Sequence, residues 1–321
     1  MTNLVKVSII IPSYNRADDL VNCLESVFNQ SFSDFEVIVV DDASTDNTKQ
    51  ILNKKGFLDK VVYLRNSQRV GVSKTKNKGV RLAKGKYCWF LDSDTKILSK
   101  KCLRFLYEAS ERDSRIGSLG CEVIQRGENL LIREHTFFTN DLTYPFLEGK
   151  KLILKSCDYL VTCNCFVRKN LVQSVGGFNE LYFYGYEDTE LGKKILDLGF
   201  KNYIDHRAAV FHLRSLISRT SNYRLLFKNR IRFTIWNFSF IQLLKLPFID
   251  IENLIKGIKK TKGLSVDQLR SKSVIGTNQI LNKMKVLVGY LFGLAYGYCW
   301  NLIFLPQTLF YKNKRKFLRD V

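Results

Sequence analysis

Little precedes the first apolar segment of this 321-residue chain: the first residues run directly into the β-branched segment 5–11, VKVSIII, so we expect no secretory leader. Eight cysteines, with no leader expected, favour a reducing compartment. The densest cysteine cluster is Cys157, Cys163 and Cys165, and it has no paired C-x-x-C spacing. Small buried core residues are therefore the preferred interpretation of this cluster, and metal binding is the weaker one.

Acidic residues are scarce: 51 Lys and Arg stand against 30 Asp and Glu, a net charge of +21. From Gly199 onward the counts are 22 against 5, a net charge of +17, whereas the preceding residues have a net charge of only +4. A cationic last third predicts an anionic partner, either a membrane surface or nucleic acid. No recognisable nucleic-acid module is present and the charge adjoins apolar segments, so we favour an anionic membrane surface and expect no nucleic acid.

Short apolar runs alternate with helical periodicity over the first hundred residues. Strands are predicted at 5–11, 35–40, 60–64 and 87–91, and helices at 17–29, near 48–55 and in a segment that ends near Ala83. This alternation with short connections predicts a mainly parallel sheet flanked by helices, with right-handed crossovers. No G-x-G-x-x-G motif follows the first strand, which argues against a dinucleotide oxidoreductase.

The second part of this region has a less regular pattern. A helix is predicted at about 99–112, strands at 115–125 and 130–138 that can pair as a hairpin, and a turn at Gly176-Gly177. Two short strands, 201–204 and 208–213, are expected to close the domain.

Two carboxylates, Asp92 and Asp94, follow the aromatic run 87–91 directly in the segment KYCWFLDSDTK. Carboxylates at the C-terminal end of a buried strand lie at the rim of the sheet, where open α/β sheets bind ligands. Asp-x-Asp with a small residue between, here Ser93, is typical of a site that holds a divalent cation and a pyrophosphate. The alternative is an Asp-rich turn that closes a strand.

A set of five motifs occurs in this order along the chain: VSIIIPSYNR, VIVVDDASTDNT, GVSKTKNKGVRLAKGKYCWFLDSDT, GGFNE and GYEDTELGKK. Over about residues 5–215 the chain resembles the inverting nucleotide-sugar transferases of glycosyltransferase family 2. The resemblance implies an α/β fold of the GT-A type, a Rossmann-like unit with the donor at the C-terminal ends of the strands. It also implies an enzyme that uses a UDP-, dTDP- or GDP-sugar.

The resemblance implies donor-binding roles for residues in three loops. The base and ribose would lie along the first loop, with Asp42 accepting from a ring N–H and Asp41 adjacent, and the pyrophosphate would lie near a Lys-Asn pair where relatives usually carry Arg-Asn. These donor residues are Pro12, Ser13, Tyr14, Asn15, Asp41, Asp42, Lys76, Asn77, Asp92 and Ser93. Helix capping is an alternative, compatible role for the Asp41-Asp42 pair.

The same resemblance implies a metal site and a catalytic base. Asp94 would be the main ligand of Mg²⁺ or Mn²⁺, Asp92 would contact the ribose or the metal, and His212 would be a further ligand or an ordinary strand histidine. Asp188, preceded by Glu187, would take the proton of the acceptor hydroxyl. The alternative is that these two acids complement the dipole at the start of a helix.

The last third, 221–321, is expected to be a basic, helical, membrane-associated extension of the catalytic domain 1–220. Segment 223–238 predicts either an interfacial helix or an amphipathic helix packed on the catalytic domain. Segment 286–305 contains no charged residue, and Gly289, Gly293 and Gly297 share one helix face. A helix lying in or against the membrane is preferred there, a single transmembrane helix is second and a buried helix is third.

Together these features predict a glycosyltransferase at the cytoplasmic face of a membrane, with a glycan or lipid-linked acceptor. A catalytically inactive membrane-associated homologue is the main alternative. A basic nucleic-acid-binding protein is less favoured.

Overall fold

A computed structural model of the chain describes residues 5–126, 131–134, 154–213, 223–262 and 276–310. The chain divides into two compact units, Met1–Arg214 and Ser215–Val321. The predicted boundary at residue 220 falls outside the described residues.

Unit 1 begins with strands and helices in strict alternation. The elements are β1 (Val7–Ser13), α1 (Ala17–Phe28), β2 (Phe35–Asp41), α2 (Thr48–Lys54), β3 (Val62–Arg65), α3 (Val72–Leu82) and β4 (Tyr87–Phe90). The four strands pair in parallel in the order β3-β2-β1-β4. The predicted parallel arrangement is therefore confirmed for this half of the sheet.

The other half of the sheet is mixed. Its elements are β5 (Thr95–Ile97), α4 (Cys102–Arg112), β6 (Ile116–Arg126), β7 (Leu131–Glu134), β8 (Leu154–Cys157), a 3-10 turn (Thr162–Asn164), β9 (Cys165–Arg168), α5 (Lys169–Ser174), α6 (Glu187–Asp197) and β10 (Lys201–His212). The order continues as β4-β9-β6-β10-β5, and β9 is antiparallel to both of its neighbours. β6 and β7 form the predicted antiparallel hairpin over their described residues. Residues 130 and 135–138 of the predicted strand 130–138 lie outside the described residues.

The helix predicted at about 99–112 is present as α4, which begins at Cys102 and ends at Arg112. The strand before it, β5, was not predicted and pairs with the end of β10. One expectation in this half is wrong. The two short strands predicted at 201–204 and 208–213 are one strand, β10. Its pairing with β6 shifts register between Asp205 and Ala209, so the polar residues between them bulge out while the strand continues.

The core lies on both faces of the parallel strands. Alternate residues of β1 point to opposite faces, so Ile9 and Ile11 join one apolar cluster and Ile10 joins the other. Helix α3 approaches β1 closely, since a Cβ on Gly79 would lie 2.3 Å from a methyl carbon of Ile10. Packing on both faces holds the strand ends, and thus the loops that follow them, in fixed positions.

Unit 2 contains three described helices, α7 (Tyr223–Asn237), α8 (Phe240–Lys262) and α9 (Gly276–Ile303). Helix α8 continues through Pro247. Close packing is found at one residue of the predicted small-residue face of α9, because a Cβ on Gly297 would lie 2.9 Å from the backbone of Phe227 in α7. Within the described ranges, none of the helices combines the length and apolar character needed to cross a membrane.

Candidate active site

The C-terminal ends of β1, β2 and β4 meet at one edge of the sheet. The register pairs Ser13 with Asp41, so the loops after β1 and β2 start side by side. Asp92 and Asp94 follow β4, which pairs in parallel with β1. This arrangement is the expected consequence of parallel strands, and it places Ser13, Asp41 and the two carboxylates after β4 around one edge.

Asp92, Asp94 and His212 form a cluster at this edge, each offering a ligand atom within 4.8 Å of the others. The Nε2 atom of His212 lies 3.3 Å from Asp94 Oδ1 and 3.8 Å from Asp92 Oδ2. His212 reaches them because the end of β10 pairs with β5, directly after Asp94. The sequence separates this histidine from the carboxylates by more than a hundred residues, and the sheet brings it back.

The electrostatics of the two carboxylates differ. Burial raises the pKa of Asp94, but the hydrogen bond and charge of His212 and the charge of Arg16 outweigh burial and lower that pKa. Arg16 also forms an ion pair with Asp94 Oδ2. Burial raises the pKa of Asp92, and the charge on Lys76 opposes this only in part.

The cluster fits a divalent cation by its donor chemistry. Two carboxylates with one imidazole are an acceptable set for Mn²⁺ or Mg²⁺, which favour oxygen ligands. The side chain of His212 is buried, and its Nδ1 has no hydrogen-bond partner among the described residues. A cation at this cluster would share Asp94 with Arg16.

Lys76 connects this cluster to the predicted base. Its side chain is 1% exposed, and its Nζ donates to Glu187 Oε1 at 3.1 Å and lies 4.0 Å from Asp92 Oδ1. Nζ also donates to the hydroxyl of Thr162. Burial lowers the pKa of Lys76, but the surrounding charges, first Glu187 and then Asp92, outweigh it and raise that pKa. Lys76 is therefore a buried cation held among carboxylates.

Asp188 lies in the first turn of α6, next to Glu187. The preceding residue, Tyr186, has a left-handed backbone with φ of 74°, which is uncommon for an aromatic residue and makes the entry into the helix sharp. Burial, and after it the charge of Glu187, raises the pKa of Asp188 to about 7. One Asp188 oxygen accepts the backbone N–H of Thr189 at 2.7 Å.

The two acids after β2 hold loops together. Asp42 accepts from Asn66 Nδ2 at 2.8 Å and from the backbone N–H groups of Val70 and Gly71, each at 2.9 Å. Asp41 accepts from Ser44 N at 2.8 Å and from the Tyr63 hydroxyl at 2.6 Å. A carboxylate has about four lone-pair sites, so Asp42 keeps roughly one for a ligand. The first backbone N–H of α2, that of Thr48, is accepted instead by Asp46 at 3.1 Å.

An arginine in contact with two aromatic rings lies beside these loops. The Arg69 guanidinium lies 4.1 Å from the ring centre of Tyr14 and 5.1 Å from that of Phe183. Asn15, with a left-handed φ of 51°, accepts from the backbone N–H of Thr45 at 2.7 Å. The loops after β1 and β2 are therefore tied to each other.

The remaining predicted donor residues have varied surroundings. Asn77 clamps the backbone of Phe178, donating to its carbonyl at 2.8 Å and accepting from its N–H at 2.9 Å. Ser93 is buried between the two carboxylates, and Pro12 lies at the end of β1. The Ser13 hydroxyl is buried without a hydrogen-bond partner among the described residues. Glu187 Oε2 is also buried without a hydrogen-bond partner among the described residues, although buried polar atoms are normally hydrogen-bonded.

Three residues at this edge were not predicted by sequence reasoning. Arg16 is part of the PSYNR motif, so the sequence offered it as a candidate site residue. Its ion pair with Asp94 depends on the fold and has no local sequence signal. Thr162 and Arg69 have no local sequence signal. Their contacts with Lys76 and Tyr14 arise only from the chain crossovers.

Comparisons with known proteins identify the family of the chain. The family model described as glycosyl transferase family 2 matches residues 8–176. The chain therefore belongs to glycosyl transferase family 2, as its motifs indicated.

Relatives and solved structures show the same class. The chain is 40% identical over 116 residues to a poly(ribitol-phosphate) beta-glucosyltransferase of Bacillus spizizenii, a match that covers 35% of this chain and 18% of that protein. It is 36% identical over 108 residues to the GalNAc(5)-diNAcBac-PP-undecaprenol beta-1,3-glucosyltransferase of Campylobacter jejuni, covering 33% of this chain and 35% of that protein. These matches thus span about a third or less of each relative's length.

A mannosyltransferase from Pyrobaculum calidifontis, solved in complex with GDP-Man and Mn²⁺, has a similar structure with a TM-score of 0.61 at 15% identity. The similarity covers 92% of this chain and 87% of that one. At this identity the likeness establishes the fold, an α/β fold of the GT-A type with a mixed sheet.

Proposed function

We propose that the chain is an inverting glycosyltransferase that moves a sugar from a nucleotide-diphosphate sugar to a hydroxyl group by a single displacement. The observation that carries this proposal is the continuous cluster that joins Asp92, Asp94 and His212 to Glu187 and Asp188 through the buried Lys76. A cation site and a carboxylate base are two parts that such a displacement requires, and here they share one edge of the sheet.

The donor would lie across the loops that follow β1 and β2. Tyr14 offers an aromatic face to a base, and Asp42 keeps an acceptor position for a ring N–H. Mg²⁺ or Mn²⁺ held by Asp94, with Asp92 and His212, would neutralise the charge that develops on the leaving diphosphate. Lys76 contributes a further positive charge, although a lysine gives no bidentate contact to a phosphate as arginine would.

The acceptor hydroxyl would lose its proton to Asp188. A base with a pKa of about 7 is a carboxylate in half of the molecules near neutral pH and still binds a proton well. As the acceptor oxygen bonds to the anomeric carbon, the bond from that carbon to the diphosphate oxygen breaks, and the proton passes to Asp188 Oδ. Glu187 holds Lys76 beside the base and so acts as a positioning residue.

The acceptor is proposed to be a glycan or a lipid-linked glycan at the cytoplasmic face of a membrane. The names of the two relatives above, a poly(ribitol-phosphate) and an undecaprenol diphosphate glucosyltransferase, support this class of acceptor. The donor base is proposed to be uracil, thymine or guanine.

Asp188→Asn tests the base, with Asp197→Asn on the surface of the same helix as the matched control. Titration calorimetry with UDP, dTDP and GDP, each with and without Mn²⁺ or Mg²⁺, should show metal-dependent binding of one nucleotide by wild type and both variants. Turnover of the corresponding sugar nucleotide should fall by about 10²- to 10⁴-fold in Asp188→Asn alone. Near-full turnover in that variant would refute the base assignment, and a folded protein that binds no nucleotide would favour an inactive homologue.

A further inference from the structure

Exposed apolar side chains are concentrated in unit 2. Among the described residues, 19 large apolar side chains are exposed, and 13 of them lie beyond residue 239. Unit 2 supplies far fewer of the described residues than unit 1. Scattered exposed apolar residues are ordinary, whereas a concentration on particular helices indicates an interaction surface.

Helix α8 carries its apolar face outward. Five apolar residues within one arc of about 100° are between 54% and 73% exposed: Phe240, Ile241, Leu244, Phe248 and Ile251. The face turned to the rest of unit 2 includes Leu246 and Asp250, both 1% exposed. Asp250 is paired there with Arg230 and accepts from the Tyr298 hydroxyl at 2.7 Å. The helix therefore buries an ion pair and exposes its aromatic residues, the reverse of a helix that faces water.

Helix α9 shows the same arrangement. Its glycine face packs on α7, where a Cβ on Gly297 would clash with Phe227. The opposite side is an apolar stripe at helical spacing, with residues between 43% and 71% exposed: Val288, Leu291, Phe292, Leu302 and Ile303. No charged residue interrupts the chain from 286 to 311. Both helices thus leave one long apolar face uncovered by the described residues.

The net positive charge of unit 2 indicates which kind of partner covers the exposed apolar faces of α8 and α9. Residues 215–321 contain 19 Lys and Arg against 4 Asp and Glu. Arg224 and Lys228, one turn apart on α7, have no carboxylate partner among the described residues and lie over the rings of Phe292 and Trp300. Burial, and then the charge of Arg232, lowers the pKa of Lys228. An anionic lipid surface satisfies both the apolar faces and the cations, whereas a second copy would add like charge.

We infer that the outward faces of α8 and α9 lie in the interfacial layer of an anionic membrane leaflet, as in-plane helices. The interpretation of the basic segment 223–238 as the interfacial helix is wrong, because its residues Ile231, Phe233 and Trp236 are buried. The lipid contact stands on the exposed faces alone. Its purpose, to bring the active site to a lipid-linked acceptor, rests on the proposed function.

Vesicle flotation of the full chain tests the inference. The probes are vesicles of phosphatidylcholine alone and of phosphatidylcholine mixed with phosphatidylglycerol, at low and high salt. Wild type should bind the anionic vesicles, and the double variant Phe240→Ser/Phe248→Ser should bind at least about tenfold more weakly, because two aromatic side chains no longer enter the interface. Leu198→Ser, which removes a side chain that is 52% exposed in unit 1, is the matched control and should bind as wild type does.

Circular dichroism and nucleotide binding of each variant separate lost lipid contact from lost folding and from a failure of the proposed function. Wild type that binds nucleotide but floats with neither vesicle would overturn the inference. So would vesicle binding that the double variant leaves unchanged. A wild-type dimer in lipid-free solution that Phe240→Ser/Phe248→Ser dissociates, with no vesicle binding, would assign these faces to a second copy instead.

Discussion

Replacing Lys76 by methionine should destabilise the protein and shift the pH dependence of transfer. Methionine keeps most of the length and volume of the lysine side chain but removes the charge. At an effective dielectric constant of about 20, opposite charges 3.1 Å apart attract by roughly 5 kcal/mol, and desolvation offsets part of this. Removing one partner of a buried pair costs about 3–5 kcal/mol, because the other is left uncompensated. We expect the free energy of unfolding to fall by about 3 kcal/mol at pH 8.

The same substitution acts on the base. Burial and the Glu187 charge raise the pKa of Asp188 to about 7, and the Lys76 charge opposes them. Without that charge the pKa of Asp188 rises further. Because the base acts as a carboxylate, the rate is lost as the pH falls through this pKa. The acid limb of the profile of kcat/KM against pH should therefore lie near pH 7 in wild type and move to higher pH in Lys76→Met.

Lys74→Met is the control, since Lys74 is exposed on the same helix, α3. Urea unfolding gives the stability, and initial rates of transfer from pH 5 to 9 or so give the profile. The contrary result is a free energy of unfolding of Lys76→Met that equals that of Lys74→Met within about 0.5 kcal/mol, with the acid limb of the profile at its wild-type pH. That result would refute the role of Lys76 as a buried cation between the Asp92 cluster and the Glu187-Asp188 pair.

Two other predictions concern the cation site and the packing of unit 2. Chelation with EDTA, or Asp94→Asn, should weaken nucleotide binding in calorimetry by at least about tenfold, and added Mn²⁺ should restore it only in wild type; equal binding with and without chelator would argue against a cation at this cluster. Gly297→Leu should lower the free energy of unfolding by about 1–3 kcal/mol, since its Cβ would meet the Phe227 backbone, whereas Ala295→Leu on the exposed side of α9 should change it by less than about 0.5 kcal/mol in the same urea titration.

The sequence predicted local features, such as strands and their ends, more completely than contacts between residues far apart in the chain. The run 87–91 is short, aromatic and uncharged, which predicts a strand buried on both faces. Four of its five residues form β4. The position of Asp92 and Asp94 at the rim then follows from the parallel pairing of β4 with β1. His212 was predicted beside them through the family resemblance, and the structure brings its Nε2 within 3.3 Å of Asp94. The donor and base roles of the other predicted residues stay predictions.

The irregular half of the sheet could not be predicted in the same way. The strand pattern of residues 165–168 carries no signal of direction, and β9 runs antiparallel only because of where the chain returns. The polar residues after Asp205 interrupt the alternation of apolar and polar side chains, so the sequence predicts that the strand ends there. A β-bulge interrupts the alternation in the same way while the strand continues. In the last third, apolar residues occur on more than one side of 240–251, so the pattern alone leaves the buried side undecided.

The sequence by itself determined the family, the parallel β3-β2-β1-β4 core and the strand-end position of the carboxylates, because periodicity and burial are properties of neighbouring residues. Tertiary structure alone decided which distant groups meet. Lys76 lies between Thr162 and Glu187, which are 86 and 111 residues away along the chain. It also decided that α8 turns Asp250 inward and Phe248 outward. Such contacts depend on crossovers and on which helix faces pack first, and no local pattern of side chains encodes either.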